Sequence, residues 1–511
     1  MSIPYYDAIA HHAMRRPQSL AAVDLATGRR HTYKAFDDRI ARLAGSFRSR
    51  FGIGPGDRIA VLAPNTTDTF EVQFACGRIG AIFVPLNWRL ANAELKAILA
   101  DCDPALLVHD PEFAERTQEL GARQLCPLGA AFEQLALDGP RLDKPVAATL
   151  DDISTILYTS GTTGRPKGAI ITHGMNFWNT VHSMSMAGIG RSTVFFGLLP
   201  LFHTGGLNVF SYPVFQVGGT VLIMRNFDAG EALQLIGDPS VGITHVFGVP
   251  ANYQFMAQHR RFGETDLSRL VFAGIGGAPT PDAILRTWAA HGVILQQGYG
   301  MTETSPLVLV LDKEDAVRKA GSAGKPGLHM ETRIAGEDGA EVPPGTVGEL
   351  WVRGPNITRG YWNQPETTAA AFTDGWLHTG DAAMVDDEGY YFIVDRWKDM
   401  YISGGENVYP AEVENVLYQH AAIAEAAVIG IADGRWGEVG RAVVVLRPGQ
   451  SLSEADVVAH CAASLARYKL PHSVVFTDAL PRNATGKVHK PTLRLQFGDA
   501  AAGYDSRPQA G

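Results

Sequence analysis

From residue 58 onward, short apolar runs rich in Ile, Val and Leu alternate with amphipathic segments. RIAVLAP (58–64) precedes DTFEVQFACGRIG, and AIFVPLN (81–87) precedes ANAELKAILADCD. Similar runs recur at TVFFGLLP (193–200), GTVLIMRN (219–226), THVFGVP (244–250), RLVFAGI (269–275) and VILQQGYG (293–300). None alternates with period two, as expected of strands covered on both faces. Strand alternating with helix predicts an α/β fold whose large N-terminal domain is built from doubly wound, mostly parallel sheets. In such sheets ligands sit beyond the carboxyl ends of the strands, so chemistry is expected in the loops after residues 158, 200, 250, 275 and 298.

The texture changes after about residue 325, where strands shorten and turn signals crowd (GEDG, PPGT, DDEG), predicting a β-rich subdomain. DRWKDMYISGGENVYP follows, then the helical pattern AEVENVLYQH, strands EAAVIGIAD and RAVVVLRPG, and a second helix near 453–467. These form a small α+β unit with enough residues for its own core. The polar DRWKD segment marks the expected boundary, giving domains 1–395 and 396–511.

Composition narrows the class. A chain of 511 residues, 46% hydrophobic and 19% charged, is expected to bury two or more cores. A net charge of −9 argues against a sequence-independent grip on nucleic acid and against a polybasic membrane surface. No stretch approaches the ~18 to 20 apolar residues of a membrane span. The N-terminal segment lacks a signal-peptide core, and DSRPQAG is no peroxisomal address. Cys76, Cys102, Cys126 and Cys461 are scattered without CxxC spacing, as expected of free thiols in a reducing, cytoplasmic setting. Small molecules are the expected partners, with a homodimer left open.

The densest chemistry lies in YTSGTTGRPKG (158–168), directly after the apolar run ISTIL. Gly161, Gly164 and Gly168 let successive backbone N–H groups turn inward without Cβ obstruction. Thr159, Ser160, Thr162 and Thr163 add hydroxyls, and Lys167 adds a mobile positive charge. Together they read as a phosphate-wrapping loop. A Walker A loop is excluded, because Pro166 precedes Lys167 and Gly168 follows it. GIGGAP (274–279) lacks the third glycine of a dinucleotide fingerprint.

At this string the chain resembles the adenylate-forming, AMP-binding superfamily: acyl-CoA synthetases, peptide-synthetase adenylation domains and firefly-type luciferases. The other blocks match in order: PLFHTGG (200–206), GGAP (276–279), GYGMTET (298–304), GELWVRG (348–354), WLHTGD (376–381), DRWKD (395–399) with SGGEN (403–407), and PRNATGK (481–487). The resemblance implies a large N-terminal domain and a small mobile C-terminal one. It also implies ATP, Mg²⁺ and coenzyme A as ligands.

A carboxylate is a poor acyl donor, and joining it to AMP as a mixed anhydride supplies a good leaving group. By resemblance, the 159–167 loop holds the β- and γ-phosphates, Thr302 meets the α-phosphate, and Glu303 helps bind Mg²⁺. Gly277, Ala278, Pro279 and Tyr299 would frame adenine; Asp381 would take the ribose hydroxyls, and Arg396 a ribose or phosphate oxygen. In isolation Tyr299 reads as a core-edge tyrosine and Asp381 as a cap; the surrounding blocks reverse that. Lys487 would reach the charge developing at the α-phosphate, against the plain alternative of one solvated lysine among Lys469, Lys487 and Lys490. Lys398 is the implied hinge, and Gly404, Gly405 and Glu406 the implied coenzyme A side.

His203 alone reads as a hydrogen-bonded core histidine, whereas the resemblance sets it at the acyl entry. His203, Thr204, Val209, Phe247, Gly274 and Pro306 are the expected acyl pocket. They include no partner for a second carboxylate, which favours an apolar monocarboxylate, aliphatic (fatty) or aromatic. The expected activity is AMP-forming acyl-CoA ligation. Loading of a carrier-protein pantetheine, a luciferase-like oxygenase and a non-catalytic nucleotide sensor are the alternatives. A sensor would have no use for Glu303, Asp381, Arg396 and Lys487 together.

Overall fold

The computed structural model of the chain describes residues 3–159, 166–396, 399–403, 406–482 and 487–498. Five phosphate-loop candidates (Ser160, Gly161, Thr162, Thr163 and Gly164), together with Lys398, Gly404 and Gly405, lie outside the described residues, as does the side chain of Arg396. Chain contacts group the molecule into two compact units. One holds residues 1–280, 284–332 and 351–378; the other holds 281–283, 333–350 and 379–511.

The first unit contains two sheets. The larger has nine strands, and six consecutive ones, Leu295–Gly300, Phe272–Gly276, His245–Gly248, Val194–Gly197, Thr220–Ile223 and Leu20–Asp24, run parallel to one another. The smaller has six, of which Leu125–Pro127, Leu106–His109, Arg58–Leu62, Ile82–Pro85 and Ile153–Thr159 are parallel. Every apolar run singled out from the sequence is a strand, and DTFEVQFACGRIG is the helix Thr67–Ile79, buried along its whole length. The edges depart from the parallel rule. Lys167–Thr172 pairs antiparallel with Ile153–Thr159, and Leu307–Val310 pairs antiparallel with Leu295–Gly300. Both antiparallel pairs carry predicted site residues at their turns, because a hairpin returns the chain to the end of the strand it left.

A third sheet, of five strands including Gly348–Arg353, Trp376–Val385 and Tyr391–Arg396, realises the predicted β-rich region, and the division between the units falls within its strands. In the second unit Ile423–Asp433 and Gly437–Leu446 form the long antiparallel pair of a separate sheet. Period-two alternation splits the first of these strands between two cores. Ala426 and Val428 pack with helices Pro410–Leu417 and Glu454–Ala462, while Ala427, Ile429 and Ile431 pack with Leu493 of helix Lys490–Phe497. Two polar anchors finish it: Asp395 accepts from Ala411 N–H at the start of Pro410–Leu417, and half-buried Lys490 pairs with Glu414 at 3.0 Å.

All four cysteines are buried free thiols, and burial pushes Cys126 and Cys461 up to about 11. No helix among the described residues is long and apolar enough to cross a membrane. Burial also makes two histidines weaken the fold in acid. His173 and His31 are both lowered to about 4, by burial and, for His31, additionally by Arg39 and Arg29. An unfolded histidine takes up its proton near pH ~6.5, so between that value and about 4 each of these histidines is protonated in the unfolded chain alone and its contribution to stability falls as pH falls, while buried Glu71, raised to about 7, acts in the opposite direction. Denaturant titrations are expected to lose up to ~1.4 kcal/mol per pH unit for each such histidine in this window. His173→Gln should flatten the slope, and an unchanged slope would remove the assignment.

Candidate active site

The predicted phosphate loop joins two strands. Apolar, β-branched ISTILYT forms Ile153–Thr159, the chain returns as Lys167–Thr172, and Thr159 stands opposite Lys167 in register. The Thr159 hydroxyl donates to Lys167 O at 3.4 Å. The two described polar residues that flank the glycine-rich segment are therefore neighbours at the mouth of one hairpin.

The adenine and metal blocks lie on adjoining strands of the larger sheet. Gly276 pairs with Gly298, so exposed Gly277, Ala278 and Pro279 leave one strand beside the point where Tyr299 ends the next. Tyr299 is half-buried. The chain then turns through the 3₁₀ segment Thr302–Thr304, in which Thr302 and Glu303 are buried. Glu303 Oε1 accepts a hydrogen bond from the Tyr361 hydroxyl at 2.9 Å, and Thr358 N–H donates to Glu303 O at 2.7 Å. Among the described residues no group of three or more His, Cys, Asp or Glu could hold a metal ion. One buried carboxylate suits Mg²⁺ that brings further oxygen ligands on a triphosphate.

The acyl candidates cluster in part. Phe247 pairs directly with Gly274 in the sheet. A methyl group at Gly274 would fall 2.6 Å from the Phe272 ring and 2.8 Å from that of Phe247, so only glycine leaves both rings in place. Phe210 packs against Phe247 and Phe272 with centroids 5.7 and 5.1 Å apart, and Val209 beside it is buried. The buried Thr204 hydroxyl has no hydrogen-bond partner among the described residues. Pro306 follows the 302–304 turn. His203, half-buried, caps the helix Thr204–Leu207, its Nδ1 accepting from Gly205 N–H at 3.4 Å. The structure thus gives the imidazole a local capping role that the sequence motif did not announce.

Two positioning features escaped the sequence reading. Asn65, beyond the strand Arg58–Leu62, donates to Leu199 O (2.9 Å) and Met224 O (3.0 Å) and accepts from Leu201 N–H (2.8 Å). It fastens the smaller sheet to the loop that carries His203. Tyr361 was passed over although GYW follows GELWVRG by only five residues, because its partners are distant in sequence.

The remaining candidates belong to the second unit. Buried Asp381 lies on the strand Trp376–Val385 opposite Arg396, its N–H donating to the Thr379 hydroxyl. Exposed Glu406 pairs with Ser403. Half-buried Lys487 stands beside the Arg482–Val488 bridge, where His489 N–H also donates to Pro481 O at 2.8 Å.

Known proteins are similar to this chain in sequence and in fold. A feruloyl-CoA synthase from an Amycolatopsis species is 46% identical over 93% of this chain and 96% of its own length. Indoleacetate–CoA ligase of Aromatoleum aromaticum is 40% identical over 91% of this chain and 92% of its own. The crystal structure of ATP-bound MatB from Rhodopseudomonas palustris superposes with a TM-score of 0.89 at 32% identity, covering 96% of this chain and 99% of that one. The family model described as AMP-binding enzyme matches residues 9–362, and that for the AMP-binding enzyme C-terminal domain matches 412–487. With both family models matched in order and relatives of 40% identity and more covering over nine-tenths of its length, this chain belongs to the AMP-binding enzyme family.

Proposed function

We propose that this protein is an AMP-forming acyl-CoA ligase that activates an aryl-substituted monocarboxylic acid. In the first half-reaction a carboxylate oxygen attacks the α-phosphorus of ATP, and the bond to the β-phosphate oxygen breaks, its electron pair leaving with pyrophosphate. In the second, the thiol sulfur of coenzyme A attacks the acyl carbon and AMP departs, the thiol proton passing to solvent or buffer.

The observation that carries this reading is that, in one unit, Thr358 hydrogen-bonds both to buried Glu303 and to Ile170 on the strand that begins with Lys167. Thr159 and Lys167, with Ser160 to Gly164 between them, are the β- and γ-phosphate side. Thr302 is assigned to the α-phosphate. Glu303 would hold Mg²⁺, which when bound neutralises charge on the departing pyrophosphate. Gly277 to Pro279 and Tyr299 frame the base, and Asp381 with Arg396 hold the ribose.

The acyl candidates Phe247 and Gly274, backed by the buried rings of Phe210 and Phe272, are apolar, and the candidate set includes no cation for a second carboxylate. The names of the feruloyl-CoA and indoleacetate–CoA relatives support an aromatic acid over a fatty one. Domains 1–395 and 396–511 are taken to rotate about Lys398, presenting Lys487 for adenylation and then Gly404, Gly405 and Glu406 for the thiol.

Pyrophosphate release measured across aryl, fatty and dicarboxylic acids, with and without coenzyme A, tests the reading. Release is expected to depend on an aryl acid and to reach multiple turnover only with coenzyme A. Release without any acid, or turnover only with a pantetheinylated carrier protein, would overturn it.

A further inference from the structure

The segment 354–362 joins the two sheets of the first unit at the point where their functional groups emerge. Asn356, fully buried, donates through Nδ2 to Thr304 O (2.6 Å) and Leu307 O (2.8 Å), gripping the turn that holds Glu303. Two residues on, Thr358 N–H donates to Glu303 O, while the Thr358 hydroxyl donates to Ile170 O at 2.7 Å. Ile170 N–H then donates to Gly360 O at 3.1 Å, and Trp362 N–H to Gly168 O at 2.7 Å, forming a short antiparallel bridge between Ala169 and Tyr361. One stretch of backbone therefore holds the carboxylate turn of the larger sheet and the lysine strand of the smaller.

Tyr361 sits where the two grips meet. Its hydroxyl donates to Glu303 Oε1 at 2.9 Å, and the ammonium of Lys167 lies 5.3 Å from the centre of its ring. We propose that Tyr361 is a positioning residue that couples Glu303 to Lys167, orienting the carboxylate for a triphosphate-borne divalent cation and holding the lysine over the same phosphates. The inference deepens the functional reading above and rests on its assignment of Glu303 and Lys167.

The chemistry follows from what each contact restrains. A carboxylate ligand turns about its last side-chain bond, and a hydrogen bond to one oxygen fixes the plane in which the group can meet a metal. The phenol is neutral, so it sets orientation while the carboxylate remains a hard anionic ligand. The ring face attracts the ammonium without consuming an N–H, leaving all three donors of Lys167 for phosphate oxygens. A second carboxylate in place of the ring would also attract the lysine, but it would compete with the triphosphate. An aromatic ring draws the cation in and adds no net negative charge.

The test uses the full chain and equilibrium binding of the unreactive probe α,β-methylene-ATP at increasing Mg²⁺, with AMP binding in EDTA as the reference. Tyr361→Phe keeps the ring and removes one oxygen. It is expected to raise the half-saturating Mg²⁺ for the probe by about 10-fold or more, the usual cost of losing an outer-shell partner. AMP affinity should stay within about twofold and the melting temperature within a few degrees. Tyr361→Leu should in addition weaken the probe several-fold without metal, because it removes the face on which Lys167 rests. In a Glu303→Gln background Tyr361→Phe should have no further effect on the Mg²⁺ midpoint. Wild-type Mg²⁺ dependence in Tyr361→Phe, equal weakening of AMP and probe, or the same effect in both backgrounds would each overturn the proposal and leave the functional reading standing. Wild-type protein that binds the probe without regard to Mg²⁺ would remove the assignment of Glu303 itself, and the proposal with it.

Discussion

Replacing Lys487 with alanine is expected to lower adenylate formation by about 10² to 10³, the usual cost of removing one preorganised donor from a developing charge. Thioester formation from supplied acyl-adenylate should survive, because that step loses AMP and needs no lysine at the α-phosphate. The expectation has a structural basis in the Arg482–Val488 bridge beside the residue and in Lys490, which pairs with Glu414 three residues on. Anchoring of the backbone that follows Lys487 leaves less freedom to be lost when its side chain meets its target. The neighbouring lysines differ in kind. Lys469 is bound to both oxygens of Glu412 at 2.7 and 2.8 Å, and Lys490 holds Glu414, so replacing either should cost stability before chemistry. Pyrophosphate exchange and single-turnover thioester assays on Lys487→Ala separate the half-reactions. Equal loss in both would remove the assignment.

Gly300→Ala is expected to be nearly as damaging through geometry alone. Gly300 stands opposite Leu307 where the strands Leu295–Gly300 and Leu307–Val310 meet. A Cβ there would lie 1.7 Å from Pro306 O and 2.6 Å from Pro306 C, and both obstacles are backbone that cannot rotate aside. The strands would have to part, carrying the Thr302–Thr304 turn and the Glu303 carboxylate with them. Acid-dependent pyrophosphate exchange should fall at least about 100-fold, as misplacement of reacting groups by about an ångström does, and the melting temperature should drop by several degrees. Gly298→Ala, two residues earlier, is the control. Its Cβ would meet only ordinary contacts at 3.6 and 3.8 Å, and it should melt close to wild type. Similar melting temperatures for the two variants would contradict this account of the turn.

The strands and helices of the large sheets were readable because their signal is local. An unbroken Val, Ile and Leu run such as RIAVLAP cannot rest half in water, whatever surrounds it. The chemistry-bearing blocks were readable for a related reason: each is a short string in which glycines, hydroxyls and one charge must be close in the chain to act together. Thr159 and Lys167, the 302–304 turn and the GGAP block all lie at strand ends, where the alternation of elements set them.

What tertiary structure decided is which distant residues share a space. Nothing near Tyr361 in the chain points to Glu303, 58 positions away, or to Lys167, nor does anything near Asn65 point to the loop of His203. The antiparallel edges were hidden for the same reason, since a strand's direction depends on where its neighbour's turn returns it. Side-chain identity and local periodicity limit what a segment can become. Hydrogen bonds between segments far apart in the chain form only once both sheets are assembled, so their pairing is a property of the folded molecule.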